Sequence, residues 1–492
     1  MPDLRDLKMM VQSLTPLIAV ETHEERRVID MLRLIALERQ QPFFRWSVTD
    51  GLQRAETGVL PHKTASSPED VLKHIRGIKT PAFFALLDFH PYLENPLHIR
   101  LIRELAQGYV NTPHHLFFLS PEIDMPRELA PYSAKFRLTI PDEAKLLQII
   151  TAVAQEWCRS NPGRRVVADK KAVQLLARNL LGLTTGDAER LARQAIYDDG
   201  AITKSDMKGV MQAKYNMISQ TGVLSFEYET AAFAEVGGLS KIKEWVALRR
   251  AVFQGTAHSY GLDPPKGILL LGVQGCGKSL AAKAVAGVLG VPLLRFDFAA
   301  LYDKYLGETE RNLRESLQAA ETMSPCVLWV DEIEKGLASG SGDDGVSRRV
   351  LGTLLTWMAE KKKPVFIVAT SNDVSALPPE LLRKGRFDEI FFVDLPDAET
   401  RALIFKIQMT KRKLDSAPFD LNALSATADG FSGSEIEQAI VSALYVAMAA
   451  NRMVTQQDIE AEILKTRPLS VMMSEKISQL REWALSRTVP AH

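Results

Sequence analysis

The sequence predicts an α/β protein whose second half is a doubly wound parallel sheet. Three observations predict it. An apolar run, Ile268 to Leu271, leads into Gly272-Val-Gln-Gly275-Cys-Gly277-Lys278-Ser279 and then into a helical pattern, LAAKAVAGVLG. Two later apolar runs, Cys326 to Val330 and Val365 to Ser371, end in polar residues suited to phosphate chemistry. The first half repeats the same order of strand-like segments without those polar ends.

The first run has the unbroken hydrophobicity of a strand buried on both faces. It precedes G-x-x-x-x-G-K-[ST] in the strand–loop–helix setting that this phosphate-binding loop, or P-loop, requires. Glycines let such a loop curl so that backbone N–H groups face phosphate oxygens. The helix N-terminus adds the positive end of its dipole. Lys278 suits the outer phosphates, and the Ser279 hydroxyl suits Mg²⁺. The predicted nucleotide contacts in this segment are Gly272, Gly275, Cys276, Gly277, Lys278, Ser279 and Leu280, and the predicted cofactors are ATP and Mg²⁺. Cys276 could be a redox switch, but a small side chain tolerated in the loop is the simpler reading.

The second run ends at Asp331-Glu332, which puts both carboxylates at the C-terminal edge of a strand, beside the phosphate loop. Asp331 suits Mg²⁺, through water; Glu332 suits orienting and polarising the attacking water. The third run ends at Asn372, whose amide can hold that water or the γ-phosphate. Next come Leu381-Leu-Arg383-Lys-Gly-Arg386-Phe387-Asp388 and the strand-like EIFFVDLP. Two arginines three apart suit delivery in trans, onto a neighbour's γ-phosphate. The bland alternative pairs each with a surface carboxylate.

The 492 residues include 46% hydrophobic and 24% charged residues, as in soluble globular chains. Lys+Arg and Asp+Glu are equal at 60 each, so bulk charge gives no pull toward nucleic acid or an anionic membrane. The three cysteines, Cys158, Cys276 and Cys326, are scattered, which fits a reducing compartment. His23-Glu24 begins like a zinc-protease motif, but Arg27 stands where the second His is needed. No signal-peptide core is present, and the most apolar stretch, Ala439 to Ala450, is too short for a membrane span.

The order of these motifs resembles the AAA branch of the AAA+ ATPases, over residues 230–466. FAEVGGL (233–239) is similar to that family's opening segment, which implies that the backbone of Val236 and Gly238 lies by adenine. LLRKGRFD resembles the branch's second region of homology. GFSGSEI (430–436) resembles the start of its helical lid, and Ser432 with Glu435 forms a capping box. Gln274 departs from the proline frequent in the loop, and Ser434 from the sensing arginine of clamp-loader relatives, which implies weak lid contacts to the γ-phosphate. Lys304-Tyr305-Leu306-Gly307 resembles the aromatic pore loop of protein-translocating rings; the alternative is a helix start with a core tyrosine. GVSRRVLGTLLTWMAEKKKPVFIVATSND (345–373) and LPPELLRKGRFDEIFFVDLPD (377–397) resemble the AAA ATPases first noted as a conserved chloroplast reading frame (Ycf46-like), found in algal plastids, cyanobacteria and other bacteria.

The first half reads as a degenerate AAA+-like module. QPFFRWSVT (41–49) echoes VPLLRFDFA (291–299), FFALLD (83–88) echoes VLWVD (327–331), and GLTTGDAE (182–189) echoes GFSGSE (430–435). Leu17 to Val20 runs into Glu21-Thr-His-Glu24-Glu25, where acids would repel phosphate. Asp88, matched to Asp331, is followed by Phe89 rather than Glu. The alternative is a generic α/β domain. The expected division is a degenerate domain at 1–199, a connector at 200–232, the large ATPase subdomain at 233–398, the lid at 399–466 and an exposed helical tail at 467–492.

The expected function is an ATP-hydrolysing ring, a hexamer by resemblance, that remodels a protein or complex in the cytoplasm or plastid stroma. The alternative is an ATP-gated scaffold whose first half holds a partner without threading. A nucleic-acid motor is disfavoured by the balanced charge and the lack of a recognisable binding module.

Overall fold

Contacts divide the chain into two units, Met1–Ile149 with Leu183–Arg190 and Ile150–Gly182 with Leu191–His492. These limits differ from the breaks expected at 199 and 232. The structure is a computed structural model that describes residues 2–54, 65–203, 205–219, 222–227, 238–255, 261–302, 309–337, 344–383 and 385–492.

The first unit's strands are β1 (Leu17–Glu21), β2 (Phe43–Ser47), β3 (Gly51–Arg54), β4 (Ala82–Leu87), β5 (His114–Ser120) and β6 (Ser133–Arg137). Their spatial order is β3-β2-β4-β5-β1-β6, parallel throughout except for the β2–β3 hairpin. β4 and β5 are buried along their whole length. Alternate residues face opposite ways, so both faces need cover. Ala19, Phe84, Leu86 and Phe118 pack with Val71, Ile75, Leu101 and Ile102 of helices Pro68–Gly77 and Pro96–Gln107. Ile18, Val20, Phe83 and Phe117 pack with Leu32 and Ile35 of helix Glu25–Glu38 and with Leu7 and Val11 of helix Pro2–Gln12.

The second unit opens with a pair of short parallel strands, β7 (Val167–Ala168) and β8 (Ala201–Ile202). Its main sheet comprises β9 (Leu224–Glu227), β10 (Gly267–Gly272), β11 (Leu293–Phe296), β12 (Cys326–Val330), β13 (Val365–Ser371), β14 (Glu389–Val393) and β15 (Val489–Pro490). The order is β15-β14-β10-β13-β12-β11-β9, parallel except for β11–β9. From β14 to β9 this repeats, strand for strand, the order β6-β1-β5-β4-β2-β3 of the first unit, including the antiparallel pair at the edge. The sequence echoes are therefore a repeat of topology. Ile268, Leu270, Val327 and Trp329 pack on Ala282, Val285 and Leu289 of helix Lys278–Leu289. Leu269, Leu328 and Ile367 pack on Leu313, Leu317 and Leu354 from helices Thr309–Thr322 and Asp344–Glu360. The lid is helices Ala398–Lys411, Leu421–Thr427, Gly433–Ala449 and Gln456–Lys465 around Phe405, Phe431, Ile436, Ile440 and Ile459.

Two stretches differ from expectation. Residues 200–232 hold β8, helix Asp206–Ile218 and β9 rather than a bare connector. The helix buries Met207, Val210 and Met211, but its next core position is Lys214, fully buried, which breaks the apolar period. Residues 467–492 are not simply exposed. After helices Leu469–Met472 and Ser474–Leu485, β15 joins the sheet, and Ile477, Ala484 and Ala491 are buried. A two-residue edge strand leaves no alternation to read. Among the described residues no helix is long and apolar enough to cross a membrane.

Candidate nucleotide site

The loop from Gly272 to Gly277 joins β10 to helix Lys278–Leu289. Gly272 runs so close to β14 that an added Cβ would lie 2.0 Å from the Val393 carbonyl oxygen. Gly275 has φ +80, and a Cβ there would meet Ser434 Oγ at 2.2 Å. Both positions therefore exclude side chains. The Ser434 N–H donates to the Gly275 carbonyl at 3.2 Å, so the first turn of the lid helix touches the loop. That helix begins with the anticipated capping box: Ser432 N–H donates to Glu435 Oε2 at 2.7 Å, and Glu435 N–H to Ser432 Oγ at 3.4 Å.

Lys278 is buried, and its ammonium donates to the carbonyls of Gly272 (2.9 Å) and Val273 (2.8 Å). Burial lowers its pKa to about 8, against the pull of Glu334, Asp331 and Glu332. Burial pushes the Cys276 thiol up to about 12, which disfavours the reactive thiolate. Ser279 and Leu280 are exposed at the helix start, as is Gln274 in the loop.

The acids sit one strand away from β10, across β13. Thr370 Oγ1 donates to Asp331 Oδ1 at 2.7 Å and accepts the Glu332 N–H at 3.0 Å. Glu332 has φ +48, a left-handed conformation that a non-glycine residue keeps only when its surroundings hold it. Asn372 Nδ2 donates to Glu332 Oε1 at 3.0 Å, and Lys335 pairs with Oε2 at 2.6 Å. Buried Glu334 accepts the Asn372 N–H at 3.0 Å. Asp331 Oδ2 faces Arg295 Nη2 at 3.4 Å.

Hydrogen bonds link three groups from the predicted set, Asp331, Glu332 and Asn372, and the charges of Asp331 and Glu332 act on Lys278. Arg383 is exposed elsewhere, and Arg386 donates to the Leu355 carbonyl at 2.8 Å. Arg386 is therefore tethered to helix Asp344–Glu360 of the same chain. Gly238 lies against His492, whose Nδ1 accepts the Leu239 N–H at 3.2 Å. Val236 and the pore-loop string Lys304, Tyr305, Leu306 and Gly307 lie outside the described residues. Thr370, Glu334 and Arg295 were not foreseen. Their signals were a hydroxyl in a buried strand, an acid three places after Asp331, and a lone charge in an apolar strand.

The first unit shows what the equivalent place looks like without a P-loop. Glu21 ends β1, and only three residues separate it from helix Glu25–Glu38. The Glu24 carboxylate accepts the Gly186 N–H at 2.7 Å and Arg27 Nη1 at 2.9 Å. Gly186 is the counterpart of Ser434, which touches the P-loop in the second unit. An acid thus occupies the turn where a phosphate would need donors. Arg27 also bonds buried Asp3, and Asp3 Oδ1 accepts the Thr139 N–H at 2.9 Å. A cleft of about 1290 Å³ opens beside these groups.

Strand register corrects one match. Leu86 faces Phe118 as Val330 faces Ala369, and Phe118 and Ala369 lie across from Ala19 and Leu269. Asp88 then falls on Glu332, not Asp331, and shares its left-handed backbone, with φ +50 against +48. The residue missing from the first unit is the Asp331 equivalent, replaced by Leu87.

Comparison with known proteins agrees with this architecture. Residues 268–395 match the family described as ATPase family associated with various cellular activities (AAA). Residues 4–137 match the SpoVK-like AAA ATPase N-terminal domain, and 144–221 that family's second domain. The chain is 34% identical to the "Uncharacterized AAA domain-containing protein ycf46" of Guillardia theta, over 98% of this chain and 94% of that one. It is 33% identical to the protein of the same name in Pyropia yezoensis, over 98% and 97%. It is also 33% identical to human "ATPase family gene 2 protein homolog A", but over 57% of this chain and 32% of that one. The chain belongs to the AAA+ ATPases, in the group of the ycf46 AAA domain-containing proteins. It is an ATPase with a P-loop sheet and helical lid, preceded by a degenerate AAA+-like module.

Proposed function

We propose that the chain hydrolyses Mg²⁺-ATP at the P-loop of its second unit and works as a ring that remodels a protein or complex. The observation that carries the catalytic part is the Asn372–Glu332 hydrogen bond beside Asp331. It supports a carboxylate aimed by an amide at the attacking water: Glu332 takes the proton as the water oxygen bonds to the γ-phosphorus and the bond to the β–γ bridging oxygen breaks, releasing ADP. Lys278 exchanges its two carbonyl partners for the outer phosphates. The loop amides, including those of Gly275, Cys276, Gly277 and Leu280, line the phosphates.

The donor set fits a hard divalent ion that keeps most of its waters: one serine hydroxyl, Ser279, and one carboxylate, Asp331. Among the described residues no group of three or more His, Cys, Asp or Glu could hold a metal by itself. When bound, Mg²⁺ would neutralise phosphate charge.

Arg383 and Arg386 act on a neighbour's nucleotide, so Arg386 must leave the Leu355 carbonyl during assembly. Head-to-tail contacts of this kind close into rings, here a hexamer. Tyr305, flanked by Lys304, Leu306 and Gly307, grips the client, and the base lies against Val236 and Gly238. The proposed compartment is the cytoplasm or the plastid stroma. The cleft of the first unit favours a second reading, an ATP-gated scaffold that holds a partner there.

Two variants test these readings. Glu332→Gln should keep ATP bound, stabilise rings and retain the client in a pull-down. A variant that stays monomeric with ATP and turns over at the wild-type rate overturns the ring reading. Tyr305→Ala should abolish remodelling while sparing hydrolysis; intact function in that variant supports the scaffold.

A further inference from the structure

Arg295 is the one charged residue of β11, whose sequence is LLRF. It stands in register with Trp329 of β12, and its guanidinium lies 5.0 Å from the centre of that indole. A flat cation on an aromatic face has a defined plane and direction. From there Nη2 reaches Asp331 Oδ2 at 3.4 Å, while Oδ1 is held by Thr370. One oxygen of this carboxylate is thus fixed by a hydroxyl and the other faces a cation. The Arg295 side chain is 49% exposed, so the pair adds little to folding. What matters is its position, on the acid proposed to serve the divalent ion.

The first unit supplies an internal comparison. Arg45 occupies the same place in β2, in register with Ala85 of β4. Ala85 offers no indole at that register position, and Leu87 replaces Asp331. Arg45 turns instead to Gln53 at 3.2 Å and Asp50 at 3.6 Å. An arginine at this strand position thus pairs with the polar group within its reach. Only in the second unit is that group the acid at the nucleotide site.

We propose that Arg295 is the counter-ion of Asp331 in the metal-free site. It neutralises the carboxylate while nucleotide arrives without a divalent ion, and yields Oδ2 when the ion enters. The proposal rests on the Mg²⁺-ATP reading above. It has two consequences of opposite sign. Without Arg295, Asp331 is a bare negative charge near incoming phosphates, so metal-free nucleotide binds more weakly. Without Arg295, the ion displaces no competing cation, so less Mg²⁺ is needed.

The test is nucleotide affinity of the full chain, measured with fluorescently labelled ADP in EDTA and across a Mg²⁺ titration. Arg295→Gln should weaken metal-free ADP binding about threefold to fivefold, the scale of a partly exposed ion pair. It should lower the Mg²⁺ midpoint by a similar factor. Arg295→Lys keeps the charge and should restore most of both. A purely structural arginine would leave both quantities unchanged or shift both in the unfavourable direction, and either result overturns the proposal. If wild type binds no ADP at any Mg²⁺ concentration, or Lys278→Ala binds it equally well, the nucleotide reading itself has failed and takes this assignment with it.

Discussion

Thr370→Val removes one oxygen and keeps the shape of the side chain, so its effect isolates two hydrogen bonds. The first runs from Thr370 Oγ1 to the Asp331 carboxylate, and the second from the Glu332 N–H to that same Oγ1. Thr370 is 1% exposed, so water cannot readily replace the hydroxyl. A hydrogen bond to a charged group contributes about 1.5–3 kcal/mol and a neutral one about 0.5–1.5 kcal/mol. Their sum, about 2–4.5 kcal/mol, falls on the turn that holds Glu332 in its left-handed conformation. At 1.4 kcal/mol per factor of ten this makes local opening about 30- to 1,600-fold more frequent. Hydrogen exchange of the amides from Cys326 to Ile333 reads that opening directly. ATP turnover should fall at least tenfold, because the carboxylate of Glu332 loses its fixed base. Thr370→Ser keeps the hydroxyl and should stay near wild type in both assays. Exchange within twofold of wild type for Thr370→Val, or equal losses in Val and Ser variants, would refute the reasoning.

Three further outcomes are expected. Glu332→Gln should lower ATP turnover by about 10²–10⁴-fold with nucleotide binding retained, as separate turnover and equilibrium-binding measurements will show. Lys214, which donates to the carbonyls of Asn179 and Leu181, has its pKa lowered to about 7 by burial, against an ordinary value of 10.5. Between those values the unfolded chain holds the extra proton, so stability rises with pH across that window, by up to about 1.4 kcal/mol per pH unit. Denaturation at pH 7, 8 and 9 should show that slope reduced in Lys214→Met; equal slopes would contradict the assignment. In the first unit, Glu24→Ala should speed exchange of the Gly186 amide while Arg27 stays paired with Asp3, whereas unchanged protection would mean that Glu24 does not hold that turn.

Much of the second unit was legible because its strands are covered on both faces and read as unbroken apolar runs, and because a P-loop needs glycines that nothing else explains. Asp331, Glu332 and Asn372 were legible as polar ends of such strands. Thr370 was not, since a hydroxyl inside a buried strand looks like an ordinary β-former until its two partners are seen. Arg295 escaped for a related reason: its role depends on the register of β11 against β12, which a linear pattern does not contain. Lys214 concealed a helix by placing a cation where the apolar period wanted a hydrophobe. The match of Asp88 to Asp331 failed because identical letters were aligned, whereas the backbone conformation and ladder put Asp88 at Glu332. The tether of Arg386 to Leu355 could not be foreseen from spacing, because it joins residues 31 positions apart.

The edge strand β15 has a consequence for how the protein is made. Val489 pairs with Phe391, and the Ala491 N–H donates to the Phe392 carbonyl, almost a hundred positions back along the chain. During synthesis at about 5–20 residues per second, β14 therefore waits some ~5–20 s for its outer neighbour. In that interval the hydrogen-bonding edge of β14, with Phe391 and Phe392 in it, is an open template for another nascent chain. Ribosome-bound chains halted at residue 470 should engage chaperones that released chains carrying β15 no longer need.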